Sequence, residues 1–140
     1  MRRFTAQGTS YFEIGEGEPL VFVHGVGMRL EAWKPQIEAF SKSHRVIAVD
    51  MPGHGKSTPL PRGSELPAFV GWLGGFLDAL SLGHINLAGH SMGALVAGGA
   101  VAVFPEKIKR VALLNGVHRR DPIAKAAVLA RAASIEEAGI

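Results

Sequence analysis

A serine between two glycines is the residue of this 140-residue chain best placed to do chemistry. The stretch Gly89-His90-Ser91-Met92-Gly93 matches the pattern G-x-S-x-G, which can present a nucleophilic serine hydroxyl. An apolar run over residues 85–88 predicts a buried strand before it, and residues 94–97 begin a helical stretch after it. Strand, sharp turn and helix is the context that this motif requires. The sequence therefore predicts Ser91 as a catalytic nucleophile.

The geometry of the turn explains why this motif has glycine at two positions. A serine at so tight a turn adopts a strained backbone, and side chains two residues before and after it would collide with neighbouring backbone, so Gly89 and Gly93 remove the clash. The Ser91 hydroxyl then lies at the positive end of the following helix, where a developing oxyanion is stabilised. The alternative is a turn whose serine only caps the helix.

A second glycine-containing loop follows an earlier buried strand. Residues 20–23 are a continuous apolar run that ends in His24-Gly25-Val26-Gly27. Glycines in this loop allow backbone N–H groups to approach a substrate oxygen, so we predict an oxyanion hole from the N–H groups of Val26 and Met92. His24 and His90 are predicted to shape the site, His24 by bracing its loop and His90 by pointing away from Ser91.

Strands alternate with helices from residue 20 onward. Apolar runs predict a hairpin at 3–7 and 10–14 and buried strands at 20–23, 45–50, 85–88 and 111–114. An apolar stripe predicts a helix over 67–80. This order predicts an α/β fold with a mostly parallel sheet and helices on both faces. Because chemistry lies at the carboxyl ends of such strands, His24, Asp50 and Ser91 are expected to meet at one edge.

The loop Gly53-His54-Gly55-Lys56-Ser57 has part of a phosphate-binding pattern. That pattern requires a glycine at position 50, where this chain has aspartate. We interpret the loop as a glycine-rich turn with Ser57 as a local cap. Asp50 is predicted to brace the loop by accepting backbone N–H groups, rather than to act as a catalytic acid.

Composition narrows the classes of function. The chain has no cysteine, which excludes a disulfide framework, a thiolate metal site and a cysteine nucleophile. The net charge of +3 has no aromatic interleaving or motif beside it, so no nucleic-acid partner is predicted. No apolar signal core or membrane-spanning run is present, and we expect a cytoplasmic protein. No metal and no cofactor is predicted.

The three motifs together resemble the successive signatures of the α/β-hydrolase superfamily. They are Val23-His24-Gly25-Val26-Gly27, then Val49-Asp50-Met51-Pro52-Gly53-His54-Gly55-Lys56-Ser57, then Gly89-His90-Ser91-Met92-Gly93. Within it the chain resembles the cofactor-free branch of esterases, enol-lactonases and carbon–carbon bond hydrolases. The resemblance implies the N-terminal part of the hydrolase core over residues 1–120, the start of a helical cap over 121–140, and small esters or lactones as substrates.

The family's acid and histidine follow later strands than this chain supplies. His118 would be a base only in a rearranged fold, and Asp121 is predicted to begin a helix as its N-cap. Three interpretations stay open: a truncated hydrolase, a chain completed by a second chain, or a non-catalytic module that binds a small ligand. The strand ending at residue 114 would be an uncovered apolar edge, and we expect self-association or a complementing chain there.

Overall fold

The computed structural model describes residues 3–116 and contains one six-stranded sheet. The strands are β1 (Arg3–Ala6), β2 (Thr9–Ile14), β3 (Pro19–Val23), β4 (Arg45–Val49), β5 (Ile85–His90) and β6 (Ile108–Leu114). They lie in the order β1-β2-β4-β3-β5-β6, in which β1 and β2 pair antiparallel and the last four strands run parallel. The predicted α/β class and mostly parallel sheet are confirmed.

Three α-helices connect the parallel strands: α1 (Lys34–Phe40), α2 (Leu66–Ala79) and α3 (Met92–Val103). Helix α2 agrees with the predicted 67–80 to within one residue at each end. A 3-10 turn, Leu30–Trp33, precedes α1, so Trp33 lies directly ahead of that helix. Strand β5 extends to His90, two residues beyond the apolar run, because Gly89 and His90 continue its pairing with β6.

The sheet separates two apolar cores, which places helices on both of its faces. Alternate residues of β3 supply the two cores, with Val21 and Val23 on the side of α2 and α3, and Phe22 on the side of α1. Helix α2 adds Phe76 to the first core, and Trp33 stacks on Phe22 in the second with ring centroids 4.6 Å apart. Burial on both faces explains why the strand is continuously apolar.

Strand β6 forms one edge of the sheet over the part of the chain that the structure describes. Its apolar side chains remain accessible: Val111 is 38%, Leu113 53% and Leu114 44% exposed. The run was expected to be a buried strand as well as a sheet edge. The structure bears out the edge and not the burial. Val111 and Leu113 lie on the α3 side and Leu114 on the α1 side, and within residues 3–116 neither face of β6 is fully covered.

Residues 117–140 lie outside the described range, and with them His118, Asp121 and the predicted cap segment 121–140. Within residues 3–116 no helix is long and apolar enough to cross a bilayer. No cluster of three or more potential metal ligands occurs within that same range.

Candidate active site

Ser91 occupies the turn between β5 and α3 in a conformation that few non-glycine residues adopt. Its φ is 56° and its ψ is −116°. A Cβ at Gly89 would lie 2.1 Å from the carbonyl oxygen of Gly93, and a Cβ at Gly93 would lie 2.1 Å from that of Val23. Both distances are far below contact, so the turn requires glycine at both positions.

Backbone hydrogen bonds fix this turn from two sides. The Ser91 N–H donates to the carbonyl oxygen of Leu114 at 2.9 Å, which ties the turn to the end of β6. The Ser91 carbonyl accepts from the N–H groups of Ala94 at 2.9 Å and Leu95 at 3.3 Å. The Ser91 N–H is therefore engaged. The N–H of Met92, at the first position of α3, has no intrahelical acceptor because the first four amides of a helix have none.

The loop after β3 passes directly beside the serine. The position of a Cβ on Gly25 lies 3.1 Å from Ser91 Cβ and 3.4 Å from Met28 Sδ, so a larger residue would push against both. The Met28 N–H donates to the Gly25 carbonyl at 3.2 Å, and Gly27 has a φ of 78° that favours glycine. The structure thus brings the two predicted oxyanion loops together, while the roles of Val26 and Met92 stay predictions.

His24 is fully buried, and both of its ring nitrogens are used. Nδ1 donates to the Gly25 carbonyl at 2.7 Å, and Nε2 accepts from the Met51 N–H at 2.9 Å. Burial, which penalises the charged ring, lowers the pKa of His24 to about 4. The neutral ring therefore links the loops after β3 and β4, and neither nitrogen is left to take a proton from Ser91.

Asp50 is fully buried at the end of β4, where its carboxylate joins three segments. Oδ1 accepts from the Leu30 N–H at 2.9 Å, and Oδ2 accepts from the Lys56 N–H at 3.0 Å and from Arg3 Nη1 at 2.7 Å. Arg3 also pairs with Glu31 at 2.5 Å. Asp50 thus accepts backbone N–H groups from the loops after β3 and β4. No sequence motif indicates that Arg3 contacts Asp50.

The glycine-rich loop after β4 folds onto this carboxylate. A Cβ on Gly55 would lie 2.3 Å from the carboxyl carbon of Asp50, so only glycine fits there. Ser57 Oγ donates to the Asp50 carbonyl at 2.7 Å and accepts from the Ser10 N–H at 2.8 Å. Ser57 therefore joins this loop to β2, which is a wider role than the predicted local cap. The Lys56 amide contacts a carboxylate here instead of a phosphate.

His90 contacts the end of β6 and the start of α1. The Asn115 side-chain amide donates to His90 Nε2 at 3.0 Å, and the ring meets that of Trp33 edge-on, with centroids 6.5 Å apart. Within residues 3–116, His90 Nδ1 and Trp33 Nε1 are buried with no hydrogen-bond partner. The sequence assigned His90 to the site, whereas no sequence motif placed Trp33 beside it.

Two cavities lie on the α1 side of the sheet. The larger, of about 430 Å³, is an apolar groove that runs from Phe40 across Phe22 and Ala88 to Ala112 and Leu114. The smaller, of about 190 Å³, lies between the loop after β3 and His90, with Met28 and Trp33 in its wall. The larger groove follows β6, and the smaller one adjoins the site.

Among residues 3–116, the Ser91 hydroxyl lies beside helix-end amides, but no base contacts it. No hydrogen bond joins the Ser91 hydroxyl to a histidine anywhere in residues 3–116. A serine hydroxyl is a weak nucleophile without such a base. The described residues therefore bring a serine hydroxyl, the start of α3 and the loop after β3 together, without a base in contact with that hydroxyl.

Comparisons with known proteins agree with this geometry. A family model described as alpha/beta hydrolase fold matches residues 18–137. The (E)-2-((N-methylformamido)methylene)succinate hydrolase of Acinetobacter baylyi is 53% identical over 127 residues, which are 91% of this chain and 48% of that protein. The 2-hydroxy-6-oxo-2,4-heptadienoate hydrolase of Pseudomonas putida is 35% identical over 114 residues, 78% of this chain and 41% of that protein.

A solved structure also matches this chain over most of its length. The enol-lactonase of Burkholderia xenovorans superposes with a TM-score of 0.77 at 32% identity, covering 93% of this chain and 54% of that one. The chain spans about half the length of the curated relatives that it matches. The match to the family model extends over most of the chain, and the chain therefore belongs to the α/β hydrolase fold family.

Proposed function

We propose that this chain carries the nucleophile of a serine hydrolase and that Ser91 is that nucleophile. The observation that carries the proposal is the Ser91 backbone, with φ at 56° and ψ at −116° between two glycines that nothing larger can replace. Strain of this kind persists only where the surrounding structure enforces it, and it concentrates at functional sites.

The reaction follows from the groups around the turn. Ser91 Oγ attacks a substrate carbonyl carbon, its proton passes to a histidine, and the carbonyl oxygen becomes an oxyanion. The Met92 N–H at the start of α3 stabilises that charge, together with the N–H of Val26 from the adjoining loop. The leaving group takes the proton, and water then releases the acyl group from Ser91. The histidine and its acid partner come from outside residues 3–116.

Small carboxylic esters and lactones are the first substrate class that we propose. The enol-lactonase that superposes on this chain at 32% identity supports it. A second candidate is a succinate that carries an acylaminomethylene group, favoured by the hydrolase that is 53% identical over 91% of this chain. A third is hydrolysis of a carbon–carbon bond in a dienoic acid, for which the 35% identical heptadienoate hydrolase argues.

A non-catalytic module that binds a small ligand beside Ser91 is the alternative from another class. The lack of a base in contact with Ser91 within residues 3–116 favours it. Such a module would not need a strained serine, because a relaxed turn could present the same hydroxyl to a ligand at lower energetic cost. A hydrolase would turn over its substrate, whereas a binding module would only bind its ligand.

The test is hydrolysis of small esters and lactones by the protein as its own cell produces it. We expect Ser91→Ala to lower kcat/KM at least about 10³-fold, because the covalent step is lost. Ser43→Ala, at an exposed serine beyond α1, is the matched control and should retain full activity. An Ser91→Ala variant that keeps its activity would exclude Ser91 as the nucleophile, and a wild type without turnover would favour the binding module.

We also propose that the edge of β6 receives a further polypeptide segment. Its apolar side chains and the neighbouring 430 Å³ groove are accessible, and an exposed apolar edge is a template for strand addition. A segment that pairs with β6 would also secure Leu114, whose carbonyl holds the Ser91 amide.

We also propose that the protein is cytoplasmic, and cell fractionation tests this location.

A further inference from the structure

Arg3, on the first strand of the sheet, reaches the buried carboxylate at the end of β4. Its Nη1 donates to Asp50 Oδ2 at 2.7 Å and to Ser10 Oγ at 3.1 Å, and its Nη2 donates to Glu31 Oε1 at 2.5 Å. The Arg3 side chain is 19% exposed, whereas that of Asp50 is fully buried. Within residues 3–116, Arg3 is the cation that pairs with this carboxylate. A buried carboxylate needs such a partner, because removing its charge from water is costly.

The groups that Arg3 contacts lie at the end of the loop after β3. This loop, residues 24–29, leads from β3 into the 3-10 turn that begins at Leu30. Asp50 Oδ1 accepts from the Leu30 N–H at 2.9 Å, and the next residue, Glu31, pairs with Arg3 directly. One guanidinium therefore holds two consecutive residues of the chain, the first through the Asp50 carboxylate and the second through its own side chain.

The same loop passes Ser91 between its two anchored ends. The ring of His24 fixes its beginning. Beyond it, the position of a Cβ on Gly25 lies 3.1 Å from Ser91 Cβ, so the loop runs close against the serine. The loop also carries Val26, whose N–H is proposed as an oxyanion donor. Such a donor must lie within about 2.7–3.1 Å of the oxyanion, so a small shift of the loop at Leu30 would weaken this contact.

We propose that Arg3 is a positioning residue for the reaction at Ser91. By pairing with Asp50 and Glu31, it holds the loop after β3 where the Val26 N–H can bind the oxyanion. The inference rests on the proposed function, because it gives Arg3 an effect on the rate of that reaction. A donor that acts in the transition state affects kcat more than KM. Whether Arg3 holds the loop can also be measured without turnover.

The kinetic test compares Arg3→Met with Arg45→Met in the protein as its own cell produces it. Arg45, the first residue of β4, pairs with Glu13 of β2 at 3.0 Å, at the end of that strand remote from Asp50. Both substitutions remove an arginine ion pair from the sheet. We expect Arg3→Met to lower kcat about 10- to 10²-fold, as a misplaced group does, with KM changed by less than about twofold. Arg45→Met should leave both constants unchanged.

Hydrogen exchange, measured by mass spectrometry on the same proteins, separates the loop from a general loss of stability. In Arg3→Met we expect the amides of residues 24–31 to exchange at least about tenfold faster, because Asp50 without its cation no longer holds the Leu30 N–H in place. The amides of α2, which bond within their own helix, should exchange as in the wild type. Arg45→Met should exchange like the wild type over residues 24–31.

Two further variants test the charge of Arg3 and keep the fold intact. Arg3→Lys retains the charge but offers one point of contact instead of a planar fork, so it should recover part of kcat and part of the protection. Glu31→Gln removes a partner that is 47% exposed and leaves Asp50 its cation. We expect this variant to lose about threefold in kcat, the usual weight of an exposed ion pair, with faster exchange confined to residues 24–31. If Arg3→Met does not fold, Glu31→Gln decides by the same two measurements.

Unchanged exchange over residues 24–31 in Arg3→Met, or a fall in kcat that Arg45→Met reproduces, would overturn the proposal. An Arg3→Lys variant no better than Arg3→Met would overturn it as well. Turnover by the wild type measures the proposed function separately. A wild type without turnover would contradict the hydrolase, and exchange over residues 24–31 would still decide whether Arg3 holds the loop. An active wild type whose kcat does not respond to Arg3→Met would contradict the positioning role alone.

Discussion

Ser91 shows how a single residue can be held in an unfavourable conformation by its neighbours. A non-glycine residue at positive φ costs about 1–3 kcal/mol, and the turn holds it with three backbone hydrogen bonds. The glycine spacing predicted this turn, since G-x-S-x-G between a strand and a helix has a steric reason. The hydrogen bond from Ser91 N–H to the Leu114 carbonyl was not predictable, because it joins residues 23 positions apart and no side chain signals it.

The glycine requirement gives the first prediction. Gly93→Ala places a Cβ 2.1 Å from the Val23 carbonyl oxygen, so we expect the free energy of unfolding to fall by at least about 2 kcal/mol. Gly98→Ala, in the same helix, meets nothing within 4 Å and should raise it by about 0.5–1 kcal/mol. Urea denaturation of the two variants measures both. Equal effects of the two substitutions would contradict the geometry of the turn.

His24 gives a pH prediction. The unfolded chain takes up a proton on this ring near its ordinary pKa of 6.5, whereas the folded chain does so at about 4. The stability from the neutral ring is therefore complete above about pH 6.5 and is lost as the pH falls toward 4. We expect a slope of up to about 1.4 kcal/mol per pH unit in that window from this group. Denaturation across pH 4–7 measures it, and His24→Asn should flatten the curve. An unchanged slope in that variant would argue against His24.

At the scale of elements, the glycines of α2 and α3 fall into two kinds. Some allow the two helices to pack closely, and others only lower the helix propensity. Helix α2 was predictable because its stripe of large apolar residues outweighs three glycines. Why each glycine is present was not predictable, because it depends on which helix face meets a neighbour. A Cβ on Gly99 of α3 would lie 2.5 Å from Val70 Cγ2 of α2, whereas one on Gly75 meets nothing within 4 Å. Gly99 therefore allows the two helices to approach closely.

This contrast gives the third prediction. Gly99→Ala should lower the melting temperature, because overpacking at a helix contact costs about 1–3 kcal/mol. Gly75→Ala should raise it, because alanine gains about 1 kcal/mol over glycine in a helix interior. Thermal unfolding of the two variants measures both changes. A stabilising Gly99→Ala would show that α2 and α3 are not in the close contact described above.

At the scale of the whole molecule, the sheet described over residues 3–116 ends at β6, whose side chains are exposed on both faces. The sequence predicted the α/β class, the mostly parallel sheet and the meeting of three loops at one edge, because buried strands and glycine motifs are local signals. It could not predict how much of β6 is covered, because covering depends on segments that lie elsewhere in the chain or in another chain. The 190 Å³ cavity between the loop after β3 and His90 was not predictable either, because its wall combines residues from separate segments of the chain.

The uncovered edge gives the fourth prediction. At high concentration we expect the 140-residue chain to self-associate, with a larger sedimentation coefficient than a monomer. Leu113→Lys places a charge on the edge strand and should reduce this association. Val103→Lys, at a residue that is 69% exposed at the end of α3, removes apolar surface away from the edge and should leave it unchanged. A wild-type monomer at all concentrations, or equal effects of the two variants, would contradict the role of β6.

The central claim is that Ser91 is an activated nucleophile, and covalent labelling tests it most directly. The measurement is the intact mass of the protein as its own cell produces it, before and after a serine-directed fluorophosphonate, with the modified residue located by peptide sequencing. The account predicts one adduct per chain, on Ser91 and absent from Ser91→Ala. No adduct, or an adduct on another serine, would contradict it.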